Sequence, residues 1–470
     1  ERRVQVLSLL ERLQRLAGVV PRRIGLSATL GDLTVAQSWL NSGTGRSCAA
    51  PVCGAEKQKI RLLVQRFQRA DQTTPDGALD AGEAAHYEYL YRMTLDRKTI
   101  LFTNSREETE LVMAHLRQLA LKNKTPDVYR VHHGNISAVL REQAEDEMKS
   151  AQEKLVTGAT VTLELGIDIG SLDQVVQVGT PATVSSFAQR LGRCGRRGQI
   201  PQILFTFMDD VHTTAADQLG PINWSFLRMI AIIELYTKQK WVEPLTPGRY
   251  PYSMLYHQTM SYLLSAGEAT ARELMGAVLR LSCFQEIPQE DYRILLRHLL
   301  LIGHLQKMES GGLIIGRAGE KVVSDYHFLA VFQVPEYYLV KDENRSIGTV
   351  DKIYPQGTRF ALAGRTWETL EVNQKAKVLF VKLVPGISTV DWDVDFTADL
   401  HTTLVQKMKY ILLCGEQYAY LSDSCRERLE EIRYLARNSG ILNHVVTQLS
   451  ENKYAIFPWV GTRQLFTLHF

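Results

Sequence analysis

The sequence lacks the features that mark a small disulfide-held or metal-clasping domain. Its six cysteines (Cys48, Cys53, Cys194, Cys283, Cys414 and Cys425) in 470 residues form no CxxC pair and no zinc spacing with the histidines. A disulfide scaffold and a metal site are therefore not expected, and reduced thiols of a cytoplasmic protein are. No apolar run is long enough to span a membrane, and no signal peptide opens the chain. Neither sign of charge dominates: the formal net charge is +3, so any surface for nucleic acid must be local. No internal repeat or low-complexity segment appears. No G-x-x-x-x-G-K-[ST] loop occurs, so the backbone cradle that grips nucleoside phosphates is missing, and no D-E-x-H box accompanies it.

What is present is an ordinary globular composition, 45% hydrophobic and 22% charged. The length suits about three or four domains. Residues 1–45 read as helix, strand, turn and helix, the strand being Ile24–Thr29. Short apolar strands then alternate with amphipathic helices: Lys98–Thr103, Val128–His132, Lys154–Thr160, Gln174–Gly179 and Gln202–Phe207, with helices Arg106–Ala120, Ser137–Ser150 and Ser185–Leu191 between them. That alternation predicts an α/β fold with a parallel sheet covered by helices. Asp71–Gly82 reads as a surface loop. Beyond Asp209 come an apolar helix Pro221–Tyr236, a proline-marked linker, helices Met254–Ala266, Ala271–Leu281 and Pro288–Ile302, and a hairpin about Ser310-Gly311-Gly312, together a winged-helix pattern. Six short strand-like runs between Ala330 and Leu383 suggest a small β-barrel, and the chain turns helical again after Ala398.

The chemistry concentrates in Gln189-Arg190-Leu191-Gly192-Arg193-Cys194-Gly195-Arg196-Arg197-Gly198, which holds four arginines in eight residues. Arg193 and Arg196 share a face if the segment is helical. Paired guanidinium forks suit a polyphosphate, although for an isolated cluster a solvated basic turn is the favoured reading. Four further segments stand at strand ends: Ser27-Ala28-Thr29, Leu101–Arg106, His132–Ser137 and Thr160–Asp168. Ligands of open α/β sheets bind at the carboxyl ends of the strands, so these polar groups converge on one edge.

In order and spacing the five segments resemble motifs III, IV, IVa, V and VI of superfamily 2 helicases. The run Thr162-Leu163-Glu164-Leu165-Gly166-Ile167-Asp168, with His132-His133-Gly134 and Gly364-Arg365-Thr366-Trp367, is similar to the large helicase-related (Lhr) family. The resemblance implies a remnant of a first RecA-like domain over 1–50 and a second RecA-like domain over 51–215. A linker helix with a winged helix follows over 216–325, a β-barrel-like domain over 326–395 and a helical segment over 396–470. It implies ATP with Mg2+, and single-stranded DNA or an RNA–DNA duplex as partner, in a 3′-to-5′ helicase of DNA repair. A Ski2-like RNA helicase and a non-enzymatic binding or annealing module are the alternatives.

By the same resemblance Arg193 and Arg196 are arginine fingers with Gln189 in their cleft, and Gly166 and Asp168 lie near the ribose. Ser105, Arg106, Thr160 and Thr162 hold the tracking strand, while Ser27 and Thr29 couple the lobes. Trp367 and Trp392 are candidate stacking platforms for bases, Trp367 being as readily a barrel anchor. Each residue has a plain reading too: threonines favour strands, Asp168 suits a turn, and His132-His133 has no partner at metal spacing. The missing cradle and acidic box are expected to precede Glu1, which opens inside a helix. The purified 470-residue chain should therefore show no steady-state ATP turnover in a coupled assay, with or without single-stranded DNA; measurable turnover refutes this.

Overall fold

Runs of valine, isoleucine and phenylalanine between polar turns build a six-stranded sheet in the computed structural model. Its strands are β1 (Arg61–Gln68), β2 (Thr99–Phe102), β3 (Tyr129–His132), β4 (Val156–Ala159), β5 (Gln174–Val178) and β6 (Gln202–Asp209). Their spatial order is β1-β6-β5-β2-β4-β3, and every pairing is parallel. Strands β2, β4 and β5 are buried along their whole length, as a parallel sheet covered on both faces requires. The structure describes residues 2–27, 29–51, 59–69, 79–150, 154–164, 169–195, 200–210, 219–245, 250–329, 337–343, 345–386, 399–450 and 453–468. They fall into two units, one of residues 1–54 and 244–336, the other of residues 55–243 and 337–470.

In the larger unit the crossover helices start where short polar side chains stop the strands. Ser105 caps Arg106–Lys122, Ser137 caps Ala138–Lys149 and Thr183 caps Val184–Leu191, each accepting a backbone N–H of the first turn. Helix Ala81–Thr94 and edge strand β1 add to the elements expected from sequence. The helix begins at a capping box of Asp80 and Glu83, so the end of the expected loop is already helical. The apolar helix Trp224–Gln239 shares its core with this sheet, as do helices Thr402–Leu413 and Asp423–Asn438. Arg66 and Arg428 both reach the buried Asp209 carboxylate at 2.7 Å, tying β1 and the later helix to the end of β6.

The same unit carries a five-stranded sheet in the order Arg345–Val350, Tyr338–Asp342, Val378–Leu383, Arg365–Asn373, Arg359–Leu362. It docks on helix Arg106–Lys122 through the turn Ala363-Gly364. The Glu110 carboxylate accepts the Ala363 N–H at 2.6 Å and also the Gly364 N–H. Arg117 donates to the Ala363 and Gly364 carbonyls at 2.8 and 2.9 Å. Gly364 has φ +67°, and a Cβ there would sit 2.7 Å from Arg117 Nη1, so a side chain would be strained and would displace the guanidinium that holds the turn. Trp367 is 5% exposed in the core of this sheet, and its indole N–H donates to the Leu362 carbonyl at 2.9 Å. The stacking role considered for Trp367 is therefore corrected: its ring anchors the sheet and presents no face to a base.

The smaller unit contains helices Arg2–Ala17, Leu33–Asn41, Tyr252–Ala266, Ala271–Leu274 (continued by a π turn), Gln289–Leu301 and Arg317–Val323, with the hairpin Leu305–Lys307 and Leu313–Ile315. Arg12 ties the first helix to the third, donating to Gln258 and Ser261 at 3.0 and 2.8 Å. The strand expected at Ile24–Thr29 is absent from the described residues there. Among the described residues of this unit no strand pairs with it, so extended backbone gains no ladder, and Ile24 and Leu26 stand 76% and 95% exposed. Ala28, and the run expected at Ala330–Gln333, lie outside the described residues.

Two histidines behind the large sheet are buried without a carboxylate partner. His86 hydrogen-bonds Thr206 at 2.9 Å, and Tyr87 stacks on His115 at 3.9 Å between ring centroids. Burial pushes both imidazoles down to about 4. Their depressed values make the unfolded chain the better proton acceptor, so stability is full above the free-histidine value near ~6.5 and falls as pH drops toward ~4. Urea midpoints should decline across that window, and less steeply in a His86→Gln/His115→Gln variant; equal slopes contradict this.

Candidate nucleotide and strand site

The site forms where the strands end. β2 runs into Thr103-Asn104-Ser105, β3 into His132-His133 and β4 into Thr160, all within the larger unit. Helix Val184–Leu191 brings the arginine run to the same edge. Its N-terminus is held by Glu243, whose carboxylate accepts the Val184 and Ser185 N–H groups at 2.7 and 3.0 Å. A carboxylate there satisfies unpaired helix donors and suits the positive end of the dipole.

The centre of the arrangement is a buried ion pair. Arg190 and Glu164 are each 2% exposed and lie 2.7 Å apart. Arg190 also donates to Gln177 on β5, and its guanidinium carbon sits 4.9 Å from the centre of the Phe102 ring on β2. Burial pushes the Glu164 carboxyl up and the Arg190 guanidinium down, and each is opposed by the other's charge. Glu164 holds the neighbouring arginine as well: Arg193 Nη2 donates to its carbonyl at 2.7 Å. One residue thus fixes two arginines, one by its side chain and one by its backbone.

The remaining candidates divide clearly. Gln189 bonds Ser185 at 3.4 Å on the same helix, and is partly exposed beside Arg193. Ser105 accepts the Glu108 N–H at 3.0 Å, while Glu108 accepts the Asn104 N–H at 2.9 Å, so the hydroxyl oxygen serves as a helix cap. Arg106 is partly exposed at the first position of that helix. Thr160 is buried and starts a short 3₁₀ turn without capping it. Thr162 donates its hydroxyl to the His132 carbonyl at 2.9 Å and also faces His132 Nδ1 at 3.1 Å. Its hydroxyl proton is spent inside the protein. His132 and His133 bond Glu145 and Glu110 at 2.8 and 2.9 Å, which makes both structural. Ser27 and Thr29 belong to the smaller unit, where the Thr29 N–H meets Ser27 Oγ at 3.4 Å. Gly166, Asp168, Arg196 and Trp392 lie outside the described residues.

Sequence reasoning singled out the arginine run but missed Arg190 and Glu164. The available signal was a lone carboxylate between Leu163 and Leu165, a position that burial permits only with a paired charge.

Comparison with known proteins agrees with this geometry. Residues 84–198 match the helicase conserved C-terminal domain. An ATP-dependent helicase Lhr-Core protein 2 of Thermococcus barophilus is 27% identical over 394 residues, covering 78% of this chain and 42% of the relative. An ATP-dependent helicase Lhr-Core of Methanocaldococcus jannaschii is 35% identical over 198 residues, covering 42% of this chain and 22% of the relative. The solved Mycobacterium smegmatis helicase Lhr, bound to ssDNA and AMP-PNP, superposes with a TM-score of 0.63 at 20% identity, over 93% of this chain and 53% of that one. The chain thus spans under half the length of these curated relatives. Residues 84–198 are thus similar to the conserved C-terminal domain of helicases, and they contain strands β2 to β5 of the parallel sheet. The curated relatives it resembles are helicases of the Lhr family.

Removing one partner of a buried ion pair leaves an uncompensated charge, at a cost of roughly 3–5 kcal/mol. Glu164→Ala should lower unfolding stability by about that much in urea titration at pH 7, and Glu164→Ala/Arg190→Met should recover most of it. A single variant within about 1 kcal/mol of the parent contradicts the ion pair's structural weight.

Proposed function

We propose that this chain supplies the arginine-bearing lobe and strand-guiding domains of an ATP-dependent 3′-to-5′ helicase of Lhr type. Its substrate is single-stranded DNA or an RNA–DNA duplex, and its setting is cytoplasmic DNA repair. The observation that carries the reading is the Glu164 anchor, which holds Arg190 with its carboxylate and Arg193 with its carbonyl at the strand-end edge. Support comes from the solved Lhr helicase described as bound to ssDNA and AMP-PNP, and from the MrfA helicase described as bound to DNA, which are of similar fold.

The residues present fit one side of a nucleotide site: an anchored guanidinium is there, and a phosphate cradle is not in the sequence. Bound ATP with Mg2+ would supply the free energy that moves the strand. Arg193 and Arg196 would supply positive charge to its terminal phosphate, which phosphoryl transfer requires. Gln189 would act in the same cleft, and Gly166 and Asp168 would serve the ribose. Ser105, Arg106, Thr160 and Thr162 hold the phosphodiester backbone without reading bases. Since the Thr162 hydroxyl is committed to His132, its contribution is backbone and shape. Ser27 and Thr29 link nucleotide state to strand position. The three helices and hairpin of the smaller unit act as a winged helix, the five-stranded sheet as a small barrel, and Trp392 as a stacking platform.

In the intact protein Arg193→Ala should reduce DNA-stimulated ATP turnover about 10³–10⁵-fold, the range for arginine fingers, while DNA affinity stays near parental. Unwinding with matched DNA and RNA loading strands should favour the DNA strand. Retained turnover in Arg193→Ala rejects the finger assignment, and a preference for RNA favours the Ski2-like alternative.

A further inference from the structure

Within the smaller unit, the base of the hairpin forms a concave groove of about 630 Å³ that includes Gly303, Leu305, Lys307, Gly316, Arg317 and Lys321 in its lining. Its floor is backbone. The Gly316 N–H donates to the His304 carbonyl at 2.9 Å, and the Ala318 N–H to the Gly303 carbonyl at 3.1 Å. Gly303 has φ +70°, and a Cβ at Gly316 would stand 2.5 Å from the Gly303 oxygen. These glycines let hairpin and helix cross at backbone distance.

The rim is cationic. Lys307 is exposed on the first hairpin strand, and Arg317 and Lys321 are exposed one turn apart on helix Arg317–Val323. Residues four apart on a helix share a face, with Cβ atoms about 5–6 Å apart. No carboxylate lines the groove. None of the three cations makes an ion pair with a described residue, whereas Arg293 and Arg297 on the preceding helix both pair with Glu290. Glu320 lies on the same helix as Arg317 and Lys321 but does not line the groove. Three cations converging on this hollow, in a chain of formal net charge only +3, form a local positive field.

We propose that this groove is a second strand-binding site, which takes the phosphodiester backbone of nucleic acid outside the helicase motifs. The inference rests on the helicase reading above. Arg317 offers a planar fork for one phosphate, and Lys307 and Lys321 act as point charges for its neighbours. With no aromatic side chain lining it, the groove grips a backbone in any sequence and stacks no base.

The test is fluorescence anisotropy of a labelled single-stranded DNA with the intact protein across a salt series. Three phosphate contacts contribute about 2 to the slope of log affinity against log salt, at roughly 0.7 each on a single strand. Lys307→Gln/Arg317→Gln/Lys321→Gln should lower the slope by that amount, equally for oligonucleotides of different sequence. Arg317→Lys alone should keep it. Arg106→Gln, measured in parallel, reports on the motif path. An unchanged slope in the triple variant, with Arg106→Gln weakened, overturns the groove and leaves the helicase reading standing. A reduced slope in the triple variant with Arg106→Gln unaffected supports the groove and removes Arg106 from the tracking path. A parent that binds no strand overturns both. Inorganic phosphate at matched ionic strength should not displace the strand. Phosphate that binds the parent but not the triple variant, with strand binding equal in both, makes this a free-anion site and overturns the assignment.

Discussion

The buried pair of Glu164 and Arg190 is the constraint around which the site is arranged. A carboxylate and a guanidinium taken out of water must compensate each other closely, and their attraction repays desolvation only when further hydrogen bonds complete the geometry. Here Gln177 and the face of Phe102 complete it, and they come from two strands of the central sheet. The pair thereby fixes the segment after β4 against the helix after β5. Arg193 inherits its position from that lock, because its partner is the carbonyl of the same glutamate. A freely solvated arginine would have to be ordered at every encounter with a phosphate, whereas an anchored one is ordered in advance.

A second polar lock explains why the sheet beyond residue 337 stays with the large unit. Glu110 receives two backbone N–H groups of the Ala363-Gly364 turn and is bonded by His133, while Arg117 returns hydrogen bonds to the two carbonyls of that turn. Both side chains stand on helix Arg106–Lys122, whose first turn begins at Ser105. Helix, histidine and turn are therefore one connected network, and in such networks the contributions of single members are not additive.

Much of this was legible beforehand, for identifiable reasons. Strands β2 to β6 announce themselves because a doubly covered parallel sheet needs continuous apolar runs. Strand β1 mixes Arg61, Gln65 and Arg66 into its run, since it lies at the sheet edge, and it could not be told from a loop. The glycine of Gly364-Arg365-Thr366-Trp367 was visible only as a motif, its reason being the left-handed turn packed against Arg117. Trp367 reads equally as platform or anchor until its burial is known. The Glu164–Arg190 pair spans 26 residues of sequence, and no local pattern connects its members. Ile24–Thr29 shows the converse: apolar alternation specifies a strand only where another strand is there to receive it.

The two units are interleaved along the chain, the larger one being interrupted between residues 243 and 337. Helices Thr402–Leu413 and Asp423–Asn438 complete the core begun by β1 and helix Trp224–Gln239. On a ribosome delivering residues in order, that core stays open on one side until the later helices emerge, after residues 244–336 of the smaller unit. The cover of that sheet is thus finished late, although its six strands are complete by Asp209, and closing it costs the loop entropy of everything inserted in between.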